Sequence, residues 1–416
     1  MQNNIIHVTS RKLMAGPAIA VALAMSGPAF AAMSDNVTLY GQANVSYDSI
    51  NTGWTSGIGS SKGITSGRLA SNSSHIGIKG SSELGGEWKA LLQAEATLGT
   101  DTGASGCQVP DAGTPTKSSR WKCFFDRNTY LGLSSDGYGT LLAGRHDTPY
   151  KMATRRLDVF ADGIADNRSL MGTTIAAGVV TETFDVRLSN LILYMSPNIG
   201  SFRVSVGYSN LTESNTYDDQ PSGSAVSAAG MYEQGPVYAT IAYEDHTTRL
   251  KNVSTTVKAT KLGLGYKLGI IDLGFAYEKS RDDFGNLSPY DPDPASITYN
   301  PCGDMLSGAN CSGHGTLYFA AKLHFTDNDA IKMAFTKARQ VGAASSNTGA
   351  SQFAMGLDHD FNERTTGYVL YTMLRNDRMV RYGLSTASTS GDNSVNQTGT
   401  GGGTPAVFSI GVRLSF

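Results

Sequence analysis

Beyond its first thirty residues, this sequence has no apolar run long enough to cross a bilayer as a helix. It has no long Lys/Arg tract either. Its 33 basic and 35 acidic residues are scattered and leave a formal net charge of -2, so no nucleic-acid partner is expected. No H-E-x-x-H and no phosphate-cradling loop occurs, and the histidines are dispersed. GSSKG at Gly59–Gly63 formally fits G-x-S-x-G, but it sits in a Gly/Ser-rich loop rather than at a strand-to-helix turn, so a hydrolase is not the expected reading. The composition predicts no enzyme, no cofactor and no metal centre. A chain of this length suggests two or three domains, yet no linker-like shift in composition divides it, which points to one large architecture.

Cysteine is scarce. Cys107 and Cys123 bracket one polar segment; Cys302 and Cys311 bracket another. The spacings are not those of a zinc site, and only His314 lies near a pair. The N-terminus explains the preferred alternative. Arg11 and Lys12 precede an apolar run from Leu13 to about Met25, and Ala29-Phe30-Ala31 fits a secretory cleavage pattern. Residues 1–31 are therefore read as a signal peptide and 32–416 as one exported domain. In an exported chain, local disulfides Cys107–Cys123 and Cys302–Cys311 are expected.

What the sequence does have is alternation. In VTLYGQANVSY, Val37, Leu39, Gly41, Ala43, Val45 and Tyr47 share one face; Thr38, Tyr40, Gln42, Asn44 and Ser46 share the other. FRVSVGY sets Phe202, Val204, Val206 and Tyr208 against Arg203, Ser205 and Gly207. IIDLGFAYE and the terminal VFSIGVRLSF repeat the scheme. Such segments are strands with one greasy and one wet face. About sixteen are predicted, near 37–49, 68–80, 87–98, 125–134, 138–146, 185–196, 201–210, 227–234, 236–246, 258–267, 270–281, 315–325, 329–339, 351–360, 364–376 and 406–416. Those at 125–134, 185–196 and 364–376 have mixed parity, and their faces stay unassigned. Connections alternate between short turns (SSELGG, SSDGYG, SPNIG, EQGP, LGI, TDND, DFNER) and long loops.

A β-sandwich would hide the apolar faces between two sheets. An up-and-down barrel would turn them to lipid and line a watery lumen with the rest. Strands of about ten residues, charges such as Lys89, Glu95, Arg203, Asp272 and Lys322 on the wet face, aromatics at strand ends and the asymmetry of turns and loops favour the barrel. A closed barrel leaves no free edge, so the strand ending at Phe416 is expected to pair with the one beginning near Val37.

VTLYGQANVSY, SHIGIKGSSELGGEWKALLQAEA, RNTYLGLSSDGYGTLLAGRHDTPY, RLSNLILYMSPNIGSFRVSVGYS and FSIGVRLSF together resemble the general-diffusion porins of Gram-negative bacteria, of the Neisseria and Burkholderia type. The resemblance runs from about Val37 to Phe416. It implies a sixteen-stranded outer-membrane barrel, usually a homotrimer, inserted by the barrel-assembly machinery through its C-terminal strand. Small hydrophilic solutes and ions would diffuse passively through it. It also implies a third long loop, about 147–184, folded into the lumen. By position, Arg127, Arg145 and Arg187, with Lys89 nearby, would face Asp158, Asp162 and Asp166 of that loop and give mild anion selectivity. The loop also carries Lys151, Arg155, Arg156 and Arg168, so its charges could instead pair with one another. His75 stands where the family commonly has Arg, removing a fixed positive charge near pH 7. A substrate-specific channel or a barrel adhesin is the alternative; Tyr40, Tyr238 and Tyr318 face inward by parity without marking a track.

Overall fold

The computed structural model describes residues 36–53, 65–103, 125–176, 179–182, 184–210, 222–250, 253–281, 313–340, 348–378, 380, 382–384 and 402–416. All four cysteines and the signal segment lie outside them. The strands are β1 (Val37–Asn51), β2 in two segments (Thr65–Ser71 and His75–Gly85), β3 (Trp88–Thr97), β4 (Thr129–Ser135), β5 (Gly139–Asp147), β6 (Arg187–Met195), β7 (Phe202–Asn210) and β8 (Ser222–Gln234). They continue as β9 (Val237–Leu250), β10 (Val253–Leu268), β11 (Ile271–Arg281), β12 (Gly315–His324), β13 (Asp329–Ala338), β14 (Ala350–Asn362), β15 (Thr365–Asn376) and β16 (Ala406–Ser415). Each pairs antiparallel with its sequence neighbour, and β1 pairs with β16, giving a closed sixteen-stranded barrel. All sixteen predicted strands are present.

The two segments of β2 both pair with β1, as Val45↔Ser71 and Gln42↔His75, with Asn72–Ser74 bulged between them. Ser73 takes a positive φ of 53° there, and the Ser74 hydroxyl accepts the Asn44 amide at 2.9 Å.

Closure shows what the terminal aromatic does. The Gly41 amide donates to the Phe416 carbonyl at 3.0 Å, and the Phe416 amide donates back to Gly41 at 3.1 Å. The Phe416 ring lies directly over the Cα of Gly41, in the space a side chain would fill. Gly41→Val is expected to push the ring off this seat and cost about 1–3 kcal/mol, the usual penalty for overpacking. The heat-modifiable folded fraction on gels and the urea midpoint should both fall; unchanged values would refute the seat.

Outward positions are apolar and exposed, as at Leu39, Leu131, Ile192, Phe319 and Ile410. The buried core is on the opposite side, inside the barrel. Phe160, Ile164, Leu170 and Met171 from the β5–β6 connection, with Val380, Tyr382 and Leu384 from the β15–β16 connection, pack on Ala276, Ala320, Ala334, Ala338, Ala350 and Ala354 of the inner wall. This explains two of the three strands of mixed parity, β6 and β15. In β6, Asn190 has a positive φ of 53°. Past it, Ile192 and Tyr194 face out while Leu191 and Leu193 pack inward with Leu142 and Met152. In β15, Leu370 and Leu374 are buried against the inserted segments. Both faces of these strands are greasy because one meets lipid and the other meets protein.

Candidate functional site

The β5–β6 connection opens with helix α1 (Pro149–Arg155). Thr148 caps it, its hydroxyl accepting the Lys151 amide at 3.3 Å, and Pro149 supplies the φ the first turn needs. The segment lies on the inner wall. Tyr150 donates its amide to Ser227 at 3.0 Å, and Tyr238 donates its hydroxyl to the Ala153 carbonyl. Leu157 sits over Gly263, Gly265 and Gly274, and Phe160 over Gly356. These inward glycines form a notch; a Cβ at any of them would crowd the inserted chain. The Tyr318 hydroxyl donates to Asp158 at 2.9 Å and receives the Val159 amide at 3.2 Å.

A buried charge network ties both ends of the segment to the wall. Lys261 on β10 bonds Asp185 and lies 3.2 Å from Glu278 on β11. Glu278 also accepts the Tyr150 hydroxyl at 2.8 Å and the Gly172 amide at 2.8 Å. The Lys261 ammonium stands 4.3 Å from the Tyr150 ring centroid. Burial, with the Glu278 and Asp185 carboxylates, holds the Tyr150 phenol well above its ordinary range.

Within the segment, Arg155 reaches Asp166 at 2.6 Å, Asp162 at 2.8 Å and Asp158 at 3.7 Å. Arg168 reaches Asp166 at 3.0 Å and Asp162 at 3.5 Å. The three loop aspartates thus pair with arginines of their own segment. Although Asp166 is buried, Arg155 and Arg168 hold it well below the usual carboxylate range. Asp158 goes the other way: burial and the Asp166 charge push it up to about 6, against the pull of Arg155.

That difference sets a pH dependence. A carboxyl whose folded pKa exceeds its unfolded value, about 3.9, binds protons more tightly when folded. Its contribution is therefore present at low pH and is lost as pH rises from about 4 to about 6. Hydrogen exchange of the 157–171 amides should slow between pH 7 and pH 5 once corrected for intrinsic rates. Asp158→Asn should flatten the change; an identical profile in the variant would assign the effect elsewhere.

On the wall, Arg127 bonds Glu95, whose other oxygen receives Tyr40 at 2.9 Å and lies 3.9 Å from His75 Nε2. Arg187 and Lys151 share Asp147, at 3.1 and 2.8 Å. Arg145 donates to the Asp126 carbonyl at 2.7 Å and to Ser189 at 2.8 Å. Lys89 pairs with Glu83 at 3.3 Å beside the short turn, eight register steps from His75 on the same hairpin. That is about 27 Å along a strand. So His75 and Arg127 converge on one carboxylate, while Lys89 lies at the other end of the wall.

Parity places five further cations inward that the sequence reading did not single out as site residues: Lys79, Arg203, Lys267, Lys322 and Arg413. None is in an ion pair among the described residues. Lys79 lies 5.2 Å from the Tyr40 ring centroid; Arg203 bonds the Asn198 amide oxygen, and Arg413 the Thr366 hydroxyl. Lys322 faces Lys332 directly across β12 and β13, and only Lys332 has a carboxylate, Asp358 at 2.8 Å. Lys267, Lys322, Lys332 and Arg413 line a cavity of about 410 Å³ beneath Leu157–Val159, which Asp272 and Asp358 also border. Strand register was the signal that could have singled them out.

Residues 18–378 match the family model described as Gram-negative porin. The chain is 28% identical to outer membrane porin protein 32 of Delftia acidovorans over 265 residues, 62% of this chain and 67% of that one. It is 23% identical to the major outer membrane protein P.IB of Neisseria sicca, over 89% of this chain and 96% of the other. Among solved structures, the anion-selective porin from Comamonas acidovorans superposes with a TM-score of 0.67 at 20% identity. That match covers 91% of this chain and 99% of the other.

Proposed function

The chain belongs to the Gram-negative porin family and is an outer-membrane channel protein; from that premise we propose that it passes small hydrophilic solutes by diffusion, with a mild preference for anions. The segment from α1 to Met171 narrows the lumen in this reading. Support comes from its seat on Leu157 and Phe160 in the glycine notch and from its tether at Glu278. The single observation that carries the anion preference is the set of five inward cations without carboxylate partners, against loop charges that pair among themselves. A low-dielectric wall focuses the field of such fixed charges on the water between them. The Comamonas acidovorans protein that superposes on this chain is an anion-selective porin, in keeping with this.

Planar-bilayer recording tests the proposal. Stable ohmic steps and a reversal potential favouring anions across a KCl gradient are expected. Cation preference overturns the selectivity. Liposome swelling by graded solutes separates the alternative: a size-only cutoff supports diffusion, and saturable uptake of one solute supports a specific channel.

A further inference from the structure

Two segments of chain pack against the inner wall, and they are held differently. The one from α1 to Met171 is tied by the Lys261–Glu278 network and by the glycine notch. The other, in the β15–β16 connection, has no ion pair to the wall among the described residues. Its Val380, Tyr382 and Leu384 are fully buried in the apolar cluster on the wall. Asn376 at the end of β15 anchors it. The Asn376 Oδ1 accepts the Tyr382 amide at 2.8 Å, and its Nδ2 donates to the Tyr382 carbonyl at 3.0 Å. The connection returns through Gly402, whose amide donates to the Val380 carbonyl at 3.2 Å.

His314, one residue before β12, is buried where these two segments come together. Its ring meets the Tyr382 ring edge-on, with centroids 6.4 Å apart and planes at 70°. Ser280 on β11 fixes the imidazole: its hydroxyl lies 3.3 Å from Nδ1, and its amide donates to the His314 carbonyl at 3.0 Å. Nε2, like the Tyr382 hydroxyl, has no hydrogen-bond partner among the described residues. Burial pushes the His314 pKa down to about 4, against the pull of the Leu170 carbonyl from the inserted segment.

An imidazole in such a seat is tolerated while neutral, because a buried charge needs a partner. The charged groups around it supply none. On β11, Glu278 is engaged by Lys261, Tyr150 and Gly172, while Lys279 and Arg281 are exposed cations on the outward face. In the inserted segment, Arg168 is paired with Asp166. In the β15–β16 connection, burial holds the Tyr382 phenol well above its ordinary range, so it stays neutral, and Arg378 is exposed. His314 also borders a recess that carries Lys279, Lys337, Arg339 and Arg375 against one carboxylate, Asp377, which accepts the Gly349 amide at 2.9 Å. The balance of that recess is cationic, and it offers an imidazolium no counter-charge.

We propose that His314 is an acid-sensitive latch on the β15–β16 connection: neutral, it seats Tyr382 against the inner wall; protonated, it releases that segment into the lumen. Long loops of outer-membrane barrels are extracellular, so the latch answers to the outside medium. The sign follows from linkage. A histidine whose pKa is lower when docked than when free, about 6.5, binds protons more tightly in the released form. Its contribution to docking is therefore complete above about pH 6.5 and is lost as pH falls toward about 4. The ratio of docked to released segment should fall about twentyfold between pH 7 and pH 5, and about a hundredfold by pH 4. Asp158 moves the 157–171 amides the opposite way over the same range, which keeps the two effects apart. This inference goes beyond the channel reading and does not depend on the pore's selectivity.

Hydrogen exchange on the whole protein in mild detergent, read by mass spectrometry at pH 7 and pH 5 and corrected for intrinsic rates, tests the latch. Peptides carrying the Tyr382 and Gly402 amides should exchange about twentyfold faster at pH 5, while the ladder amides of β11–β15 keep their protection. His314→Gln does not titrate in this range, so its two profiles should coincide. The variant's fold is checked by heat-modifiable migration; if it fails to fold, His314→Leu, an apolar side chain for an apolar seat, serves instead. Open-channel noise in planar bilayers should rise from pH 7 to pH 5 in the wild type and stay level in the variant. A flat wild-type exchange profile, steady wild-type noise, or the same acceleration in the folded variant overturns the latch. So does acceleration shared by the strand ladders, which would mean that acid loosens the barrel as a whole.

Discussion

Lys261→Met should release the inserted segment from the barrel wall and raise single-channel conductance and open-channel noise. Lys261 and Glu278 each retain about 1% of their side-chain exposure, so both charges are buried. Removing the ammonium leaves the Asp185 and Glu278 carboxylates near one another with no cation between them. Breaking a buried pair from one side costs about 3–5 kcal/mol, because the remaining charge is uncompensated. The strain falls on the segment, since Glu278 receives both Tyr150 at its start and Gly172 near its end. The barrel itself is held by its strand ladders and should stay intact. Restoring neutrality supplies the control. Lys261→Met combined with Asp185→Asn and Glu278→Gln keeps the shapes and removes the orphaned charges, so conductance should return toward wild type. A folded Lys261→Met protein with unchanged conductance and noise would mean that the network does not hold the segment.

The barrel was legible in the sequence because its signal is local. Two-residue alternation needs no knowledge of partners, and a closed sheet repeats it sixteen times. The strand ending at Phe416 found its partner in β1, at Gly41, through that same logic. Mixed parity at 185–196 and 364–376 was also informative, though not readable alone. Leu191, Leu193, Leu370 and Leu374 are apolar on the inward side because inserted loops cover them. The run of inward alanines in β11–β14 was a further sign that this part of the lumen is not wet. Helix α1 had a start signal in Thr148-Pro149, which the strand reading passed over. The charge pairs were not legible. Lys261 meets Asp185 from 76 positions away, and Tyr150 meets Glu278 from 128. Nothing in composition links such partners; only the register of the closed barrel brings them together. Pairing of the loop's own charges was offered as an alternative, but which of its cations meets Asp158, Asp162 and Asp166 was not legible; Arg155 and Arg168 do.

Lys322→Glu with Arg413→Glu should carry the channel from anion toward cation preference. The argument begins with which charges reach the water. Arg127 is taken by Glu95, Arg187 and Lys151 by Asp147, and Arg156 by Glu233 at 2.7 Å. The Arg127–Glu95 and Arg156–Glu233 pairs are nearly neutral at a distance, while Arg187 and Lys151 together keep one positive charge beyond Asp147. Lys322 and Arg413 have no carboxylate partner, and both border the cavity beneath Leu157–Val159. Their field acts on the water of that cavity, where Asp272 also borders it. Reversing both changes the local fixed charge by four units, so that with Lys267 and Asp272 on the same cavity its balance turns negative, while Lys79 and Arg203 lie elsewhere on the wall. Screening gives an internal check. The Debye length falls from about 10 Å at 0.1 M salt to about 3 Å at 1 M, so wild type and variant should differ strongly in reversal potential at 0.1 M and converge at 1 M. Arg145→Glu with Arg187→Glu is the informative comparison. Arg145 sits on neutral oxygens and keeps its charge, and Arg187 shares Asp147 with Lys151, so the effect that sets that pair apart is a loosened start of α1 alongside its shift in selectivity. Cation preference in the wild type, or an unchanged reversal potential in the Lys322/Arg413 variant at 0.1 M, would remove these two residues from the account of selectivity.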